Sequence, residues 1–130
     1  MDERDYNYLI SKGFKVINQQ QSDYFGDYYD ILTSTNIELV FNSSKSYKSI
    51  DIRKSGDDGE GYDLSLVRAL IMNDLNLKEQ LNLKLLNQFL VNNLASINKL
   101  FSDKNYNNTQ KELEKLEKKR VKQMFPNAFN

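Results

Sequence analysis

Chemistry in this chain would fall to Asp, Glu, Lys, Arg, Tyr and Ser, because the sequence holds neither histidine nor cysteine. Without them, Ser-His-Asp and Cys-His catalysis, imidazole acid–base work and zinc held by His or Cys are excluded. Disulfides go with them. Carboxylates remain plentiful, at 18 Asp plus Glu. A glycosidase-type pair needs two acids facing each other across a cleft, and spacing along the chain singles out no such pair. The composition therefore points to a protein without catalysis, cofactor or metal, and a small carboxylate-based enzyme is the weakest alternative.

Two stretches gather residues that could recognise a partner. In the first, Asp23, Asp27 and Asp30 are interleaved with Tyr24, Phe25, Tyr28 and Tyr29. Tyrosine combines a large apolar body with a polar tip, which suits it to interfaces. The second is the loop Ser55-Gly56-Asp57-Asp58-Gly59-Glu60-Gly61. It lacks the alternating oxygens of a calcium loop, and its carboxylates would repel a phosphate. The expected recognition surface is acidic and Tyr-rich, made of Tyr24, Asp27, Tyr28, Asp30, Asp57, Asp58 and Glu60. A plainer alternative puts Phe25 and Tyr29 in the core, leaves Tyr24 and Tyr28 to cover the sheet edge, and makes the loop a solvated turn.

The charge distribution supports the acidic reading. Eighteen Lys plus Arg balance the eighteen acids overall, but residues 21–63 carry four basic and nine acidic residues, a local charge of −5. Residues 101–130 carry seven basic and four acidic, or +3. Such a field governs partners and association rate rather than fold. The basic tract 111–122 is interrupted by Glu112, Glu114 and Glu117, with Glu114 and Lys118 spaced for a helix-surface ion pair. Mixed signs mark a solvated helix face, so no nucleic-acid partner is expected. No apolar run approaches the roughly 18 residues a membrane span needs. The acidic start Met1-Asp2-Glu3-Arg4-Asp5 has no apolar core behind it, so a cytoplasmic address is expected.

Positioning these residues falls to a single α+β domain over 1–130. Residues 14–53 predict an antiparallel sheet of three to four strands, clearest where Ile37, Leu39 and Phe41 alternate with Glu38, Val40 and Asn42. Residues 62–73 are apolar on nearly every side and predict a central helix that must be covered on more than one face. Asp63 is its expected N-cap. Two further helices are predicted at 82–101, from the Leu83, Leu86, Leu90, Leu94, Ile97 and Phe101 stripe, and at 109–125, from the capping-box pattern Thr109-x-x-Glu112. A short opening helix over 2–12 is expected to end at Gly13.

The segments Tyr24-Phe25-Gly26-Asp27-Tyr28-Tyr29-Asp30, 62–71 and Lys122-Gln123-Met124-Phe125-Pro126 carry a resemblance. In these, and in size and order of elements, the chain resembles the small α+β immunity proteins that accompany bacterial polymorphic toxins. The resemblance implies stoichiometric inhibition of a cognate toxin, with no shared catalytic residues, often by covering the toxin's active site with an acidic surface. The expected partner is thus a basic protein. A different class, a structural or assembly subunit forming a homo-oligomer through the 82–101 helix, is the alternative.

Overall fold

The computed structural model describes residues 3–21, 28–44, 47–57, 61–79 and 81–129. Helix α1 (Glu3–Ser11) precedes four strands, β1 (Lys15–Gln21), β2 (Tyr28–Thr33), β3 (Ile37–Ser44) and β4 (Tyr47–Lys54). A short β5 (Tyr62–Asp63) leads directly into α2 (Leu64–Met72), followed by α3 (Leu83–Asn92), α4 (Leu94–Leu100), α5 (Tyr106–Met124) and a 3₁₀ turn at Pro126–Phe129. Every neighbouring pair of strands is antiparallel and the sheet order is β1-β2-β3-β4-β5. The fold is therefore the expected α+β class, with one strand more than the sequence pattern shows.

Register explains which face is inside. Leu32, Leu39, Ile52 and Tyr62 stand opposite one another across β2 to β5, and Phe41 is paired with Ile50. Leu32, Leu39, Ile50 and Ile52 are fully buried, so this face carries the helices. Leu9 of α1, Leu64, Leu66 and Val67 of α2, Leu90, Ile97 and Leu113 complete the core. On β2 the register places Asp30 and Leu32 on the helix-covered side, and Tyr29 and Ile31 on the other. The period-two grouping of Tyr29 with Ile31 holds, yet that side is the outer one, because the unbroken row Leu32–Leu39–Ile52 decides the inward face. Phe25 lies outside the described residues.

The fifth strand depends on Gly61. A Cβ there would stand 3.2 Å from the Ile52 carbonyl oxygen, so only glycine lets the chain approach β4 this closely without displacing it. Tyr62 and Asp63 then pair with Ile52 and Asp51. Two residues carry no periodicity, which is why the pattern assigns them to the central helix instead. The helix itself starts at Leu64, capped as expected: Asp63 Oδ1 accepts from the Ser65 N–H at 2.9 Å. It ends at Asn73 in the left-handed region, at φ 54°. Gly13 ends α1 in the expected way, with φ 96°.

The stripe over 82–101 forms two helices. At Asn93 the backbone leaves helical geometry (φ −123°, ψ 22°), and both its backbone N–H and its side-chain amide donate to the Phe89 carbonyl, each at 3.0 Å. Leu86, Leu90, Leu94, Ile97 and Phe101 remain buried on both sides of the break. Helix α5 begins at Tyr106, one turn earlier than the capping-box pattern predicts. The Thr109 hydroxyl, in place of capping, donates to the Leu100 carbonyl at 2.7 Å and ties α5 to α4. The α5 surface ion pair is Lys115–Glu112 at 3.3 Å, with no Glu114–Lys118 bridge.

Candidate acidic interface at the sheet edge

Acidic side chains from separate parts of the chain meet around β5, the short edge strand. On the outer face Asp51 of β4 stands directly across from Asp63 of β5. Asp63 is fully employed: one oxygen caps α2 and the other accepts from Arg120 Nη1 of α5 at 3.1 Å. Asp51 lies between exposed and buried, and burial, then the neighbouring Asp63 carboxylate, push its pKa up.

The helix-covered side of β5 is acidic too. Tyr62 is buried, and burial raises the pKa of its hydroxyl; a hydrogen bond with Gln110 works the other way, while Glu114, Glu117 and Asp57 raise it further. Those carboxylates come from one face of α5 and from the end of the β4 hairpin arm. Asp57 also accepts from the Tyr106 hydroxyl at 3.1 Å. Burial, then that bond and the Asp57 charge, push the Tyr106 phenol up to about 12. Lys54 is committed elsewhere, 2.6 Å from Asp103 and 2.9 Å from the Phe101 carbonyl oxygen, with its ammonium 5.5 Å from the Tyr106 ring centroid.

Asp57, Glu114 and Glu117 thus stand around Tyr62, while the Asp51–Asp63 pair lies on the other face of the same edge, where Arg120 binds Asp63. Among the described residues no three acidic side chains stand close enough to hold a metal ion. A spread-out array of this kind raises the local concentration of a cationic partner and can pair with its Lys and Arg side chains.

Of the residues singled out by sequence, Asp57 belongs to this array. Asp30 does not join it. Its carboxylate points to the helix side beneath α1, where Oδ1 is buried with no hydrogen-bond partner, and burial raises its pKa. Asp30 also raises the Tyr6 phenol, after burial; the Tyr6 oxygen accepts from Gln19 Nε2 at 3.3 Å. The backbone of Tyr28 pairs with Gln21 and Ser43 at the ends of β1 and β3. Tyr24, Asp27, Asp58 and Glu60 lie outside the described residues.

Sequence reasoning did not single out Asp51, Tyr62, Asp63, Glu114 or Glu117 as one group. Gln110, Glu114 and Glu117 are spaced four and three apart, so a polar stripe on α5 was visible. What it faces depends on Gly61 bringing β5 to the sheet, a long-range event with no local signature.

The class defined by these observations is an α+β domain: a five-stranded antiparallel meander with all its helices on one face. Among the described residues no helix is long and apolar enough to cross a membrane. In comparisons with known proteins, no family model, curated sequence or solved structure matches the chain.

Proposed function

We infer that this protein is a non-catalytic binding module that captures a basic protein partner on the acidic edge around β5. The immunity-protein resemblance supplies the setting: a cytoplasmic inhibitor that neutralises a cognate toxin by one-to-one binding. The observation that supports the reading is the convergence of Asp57, Glu114 and Glu117 on Tyr62, beside the Asp51–Asp63 pair. Those groups come from segments more than fifty residues apart in sequence, so the fold assembles the charge.

Surface carboxylates of this kind add little to stability. Their effect is on encounter, where opposite-charge steering raises association rates from about 10⁵–10⁶ to as much as about 10⁸–10⁹ M⁻¹s⁻¹ at low salt. The test is stopped-flow association with a basic toxin domain as candidate partner, at rising ionic strength. The rate should fall steeply as the Debye length shrinks from about 30 Å at 0.01 M to about 8 Å at 0.15 M salt. Asp57→Asn with Glu117→Gln should flatten that slope. A rate indifferent to salt removes acidic steering from the account.

The alternative of an assembly subunit built on 82–101 meets a specific obstacle. Leu86, Phe89, Leu90, Leu94, Ile97 and Phe101 are buried in the molecule's own core, so that stripe is not available to a second copy.

A further inference from the structure

The face of the sheet turned away from the core carries a row of side chains laid out by register. Ile31 of β2 stands opposite Val40 of β3, Val40 opposite Asp51 of β4, and Asp51 opposite Asp63 of β5. Strands lie about 4.8 Å apart, so an apolar half of the row runs directly into an acidic half.

The acidic half is out of balance. Like charges directly opposite each other on neighbouring strands are destabilising. Asp63 has two partners, the Ser65 N–H and Arg120 Nη1. Among the described residues no donor reaches the half-buried Asp51 carboxylate. Arg53, two residues along β4 on the same face, pairs with Glu38 at 2.6 Å. Two carboxylates and one guanidinium leave a net charge of −1 at this end of the row, enough for one more cation. Arg120 shows what kind of cation the edge accepts: it holds Asp63 at 3.1 Å with its side chain only 25% exposed.

We propose that Asp51 is the anchor for an arginine side chain of the basic partner, with the guanidinium on the free carboxylate and the aliphatic stem over Val40. Charge selects a cation, and the apolar neighbour selects arginine over lysine. An arginine stem covers apolar surface while its planar, weakly hydrated head pairs with a carboxylate through two parallel bonds. A lysine ammonium is a strongly hydrated point charge and gives up more water to reach a half-buried acid.

This inference rests on the acidic-edge reading and gives the two faces of that edge separate roles. Asp57, Glu114 and Glu117, on the helix-covered side, add to the attracting field. Asp51, on the outer side, makes the contact. It breaks a local rule that the free molecule does not repair, and such breaks belong at functional sites.

Two charge-matched probes, hexa-arginine and hexalysine, test the proposal by NMR titration of the full chain at low salt, where both feel the same field. Hexa-arginine should bind about fivefold tighter and shift the Val40, Asp51 and Asp63 amide signals. Asp51→Asn should abolish that preference. It should also raise the urea midpoint of the free chain, because it removes one of two facing charges, so the lost preference cannot come from unfolding. Asp57→Asn with Glu117→Gln should weaken both peptides alike and leave the preference in place. Equal affinity for the two peptides, a preference that survives Asp51→Asn or is lost in the Asp57/Glu117 variant, or a lower urea midpoint in Asp51→Asn overturns the proposal and leaves the acidic edge standing. If neither peptide binds, the acidic edge itself is refuted and the Asp51 anchor falls with it.

Discussion

Asp30 and Asp63 are the same kind of residue in the same sheet, and their circumstances are opposite. Asp63 sits on the outer face at the edge, with one oxygen on the Ser65 N–H and the other on Arg120. Asp30 sits in the inward row, beside Phe41 in the register, with Oδ1 buried and unpartnered. The difference comes from strand parity: a residue one step along β2 would have faced out. An acid gains a role from the donors its face supplies. One that faces the core without a donor costs stability, because its ionised form is desolvated.

Substitutions at the two sites should change stability in opposite directions. Asp63→Ala removes a helix cap and a half-buried ion pair together, and should cost about 2 kcal/mol in urea denaturation. Asp63→Asn keeps an acceptor for the Ser65 N–H and should lose about half as much. Gly61→Ala forces a Cβ against the Ile52 carbonyl and loosens the whole edge; a loss of about 1.5 kcal/mol is expected, with faster amide exchange at Tyr62 and Asp63.

Tyr106→Phe deletes the bond to Asp57 and should cost about 1 kcal/mol at neutral pH. Its pH signature is separate. The folded Tyr106 phenol titrates at about 12 and its ordinary value is 10.0, so the folded state holds the proton more tightly. Stability from this group is full below pH 10 and declines as the pH rises through 12, a decline absent from Tyr106→Phe.

Asp30→Leu gives the smallest effect and the opposite sign. Replacing a poorly solvated carboxylate by an apolar side chain should stabilise the fold by about 0.5–1 kcal/mol at pH 7. The folded pKa of Asp30 is raised above 3.8, so its stabilising contribution is present below that value and is lost as the pH rises through the folded pKa. In Asp30→Leu that part of the slope disappears.

Much of this was legible in the chain. Alternation at Ile37–Phe41 gives β3 and its inward face, and the all-round apolar stretch gives α2 with its Asp63 cap. Asp57 was identifiable from the charge of its loop. The remaining features depend on distance in sequence. Tyr29 and Ile31 share a side, but which side faces the helices is fixed by β3 and β4. Asn93 leaves helical geometry inside an apolar stripe that runs on unbroken, so spacing does not reveal the break. The acidic edge needs β5 to dock on β4 and α5 to fold back beside it, so no window of the sequence contains it.

The convergence of carboxylates on Tyr62 can be measured directly by following the Tyr62 ring through a pH titration by NMR, in the native chain and in Glu114→Gln/Glu117→Gln. Burial will hold the phenol above its ordinary value in both. With the two glutamates neutralised it should titrate at lower pH than in the native chain. An unchanged Tyr62 titration would mean that α5 does not bring its acids to the edge strand, and the acidic interface would not exist.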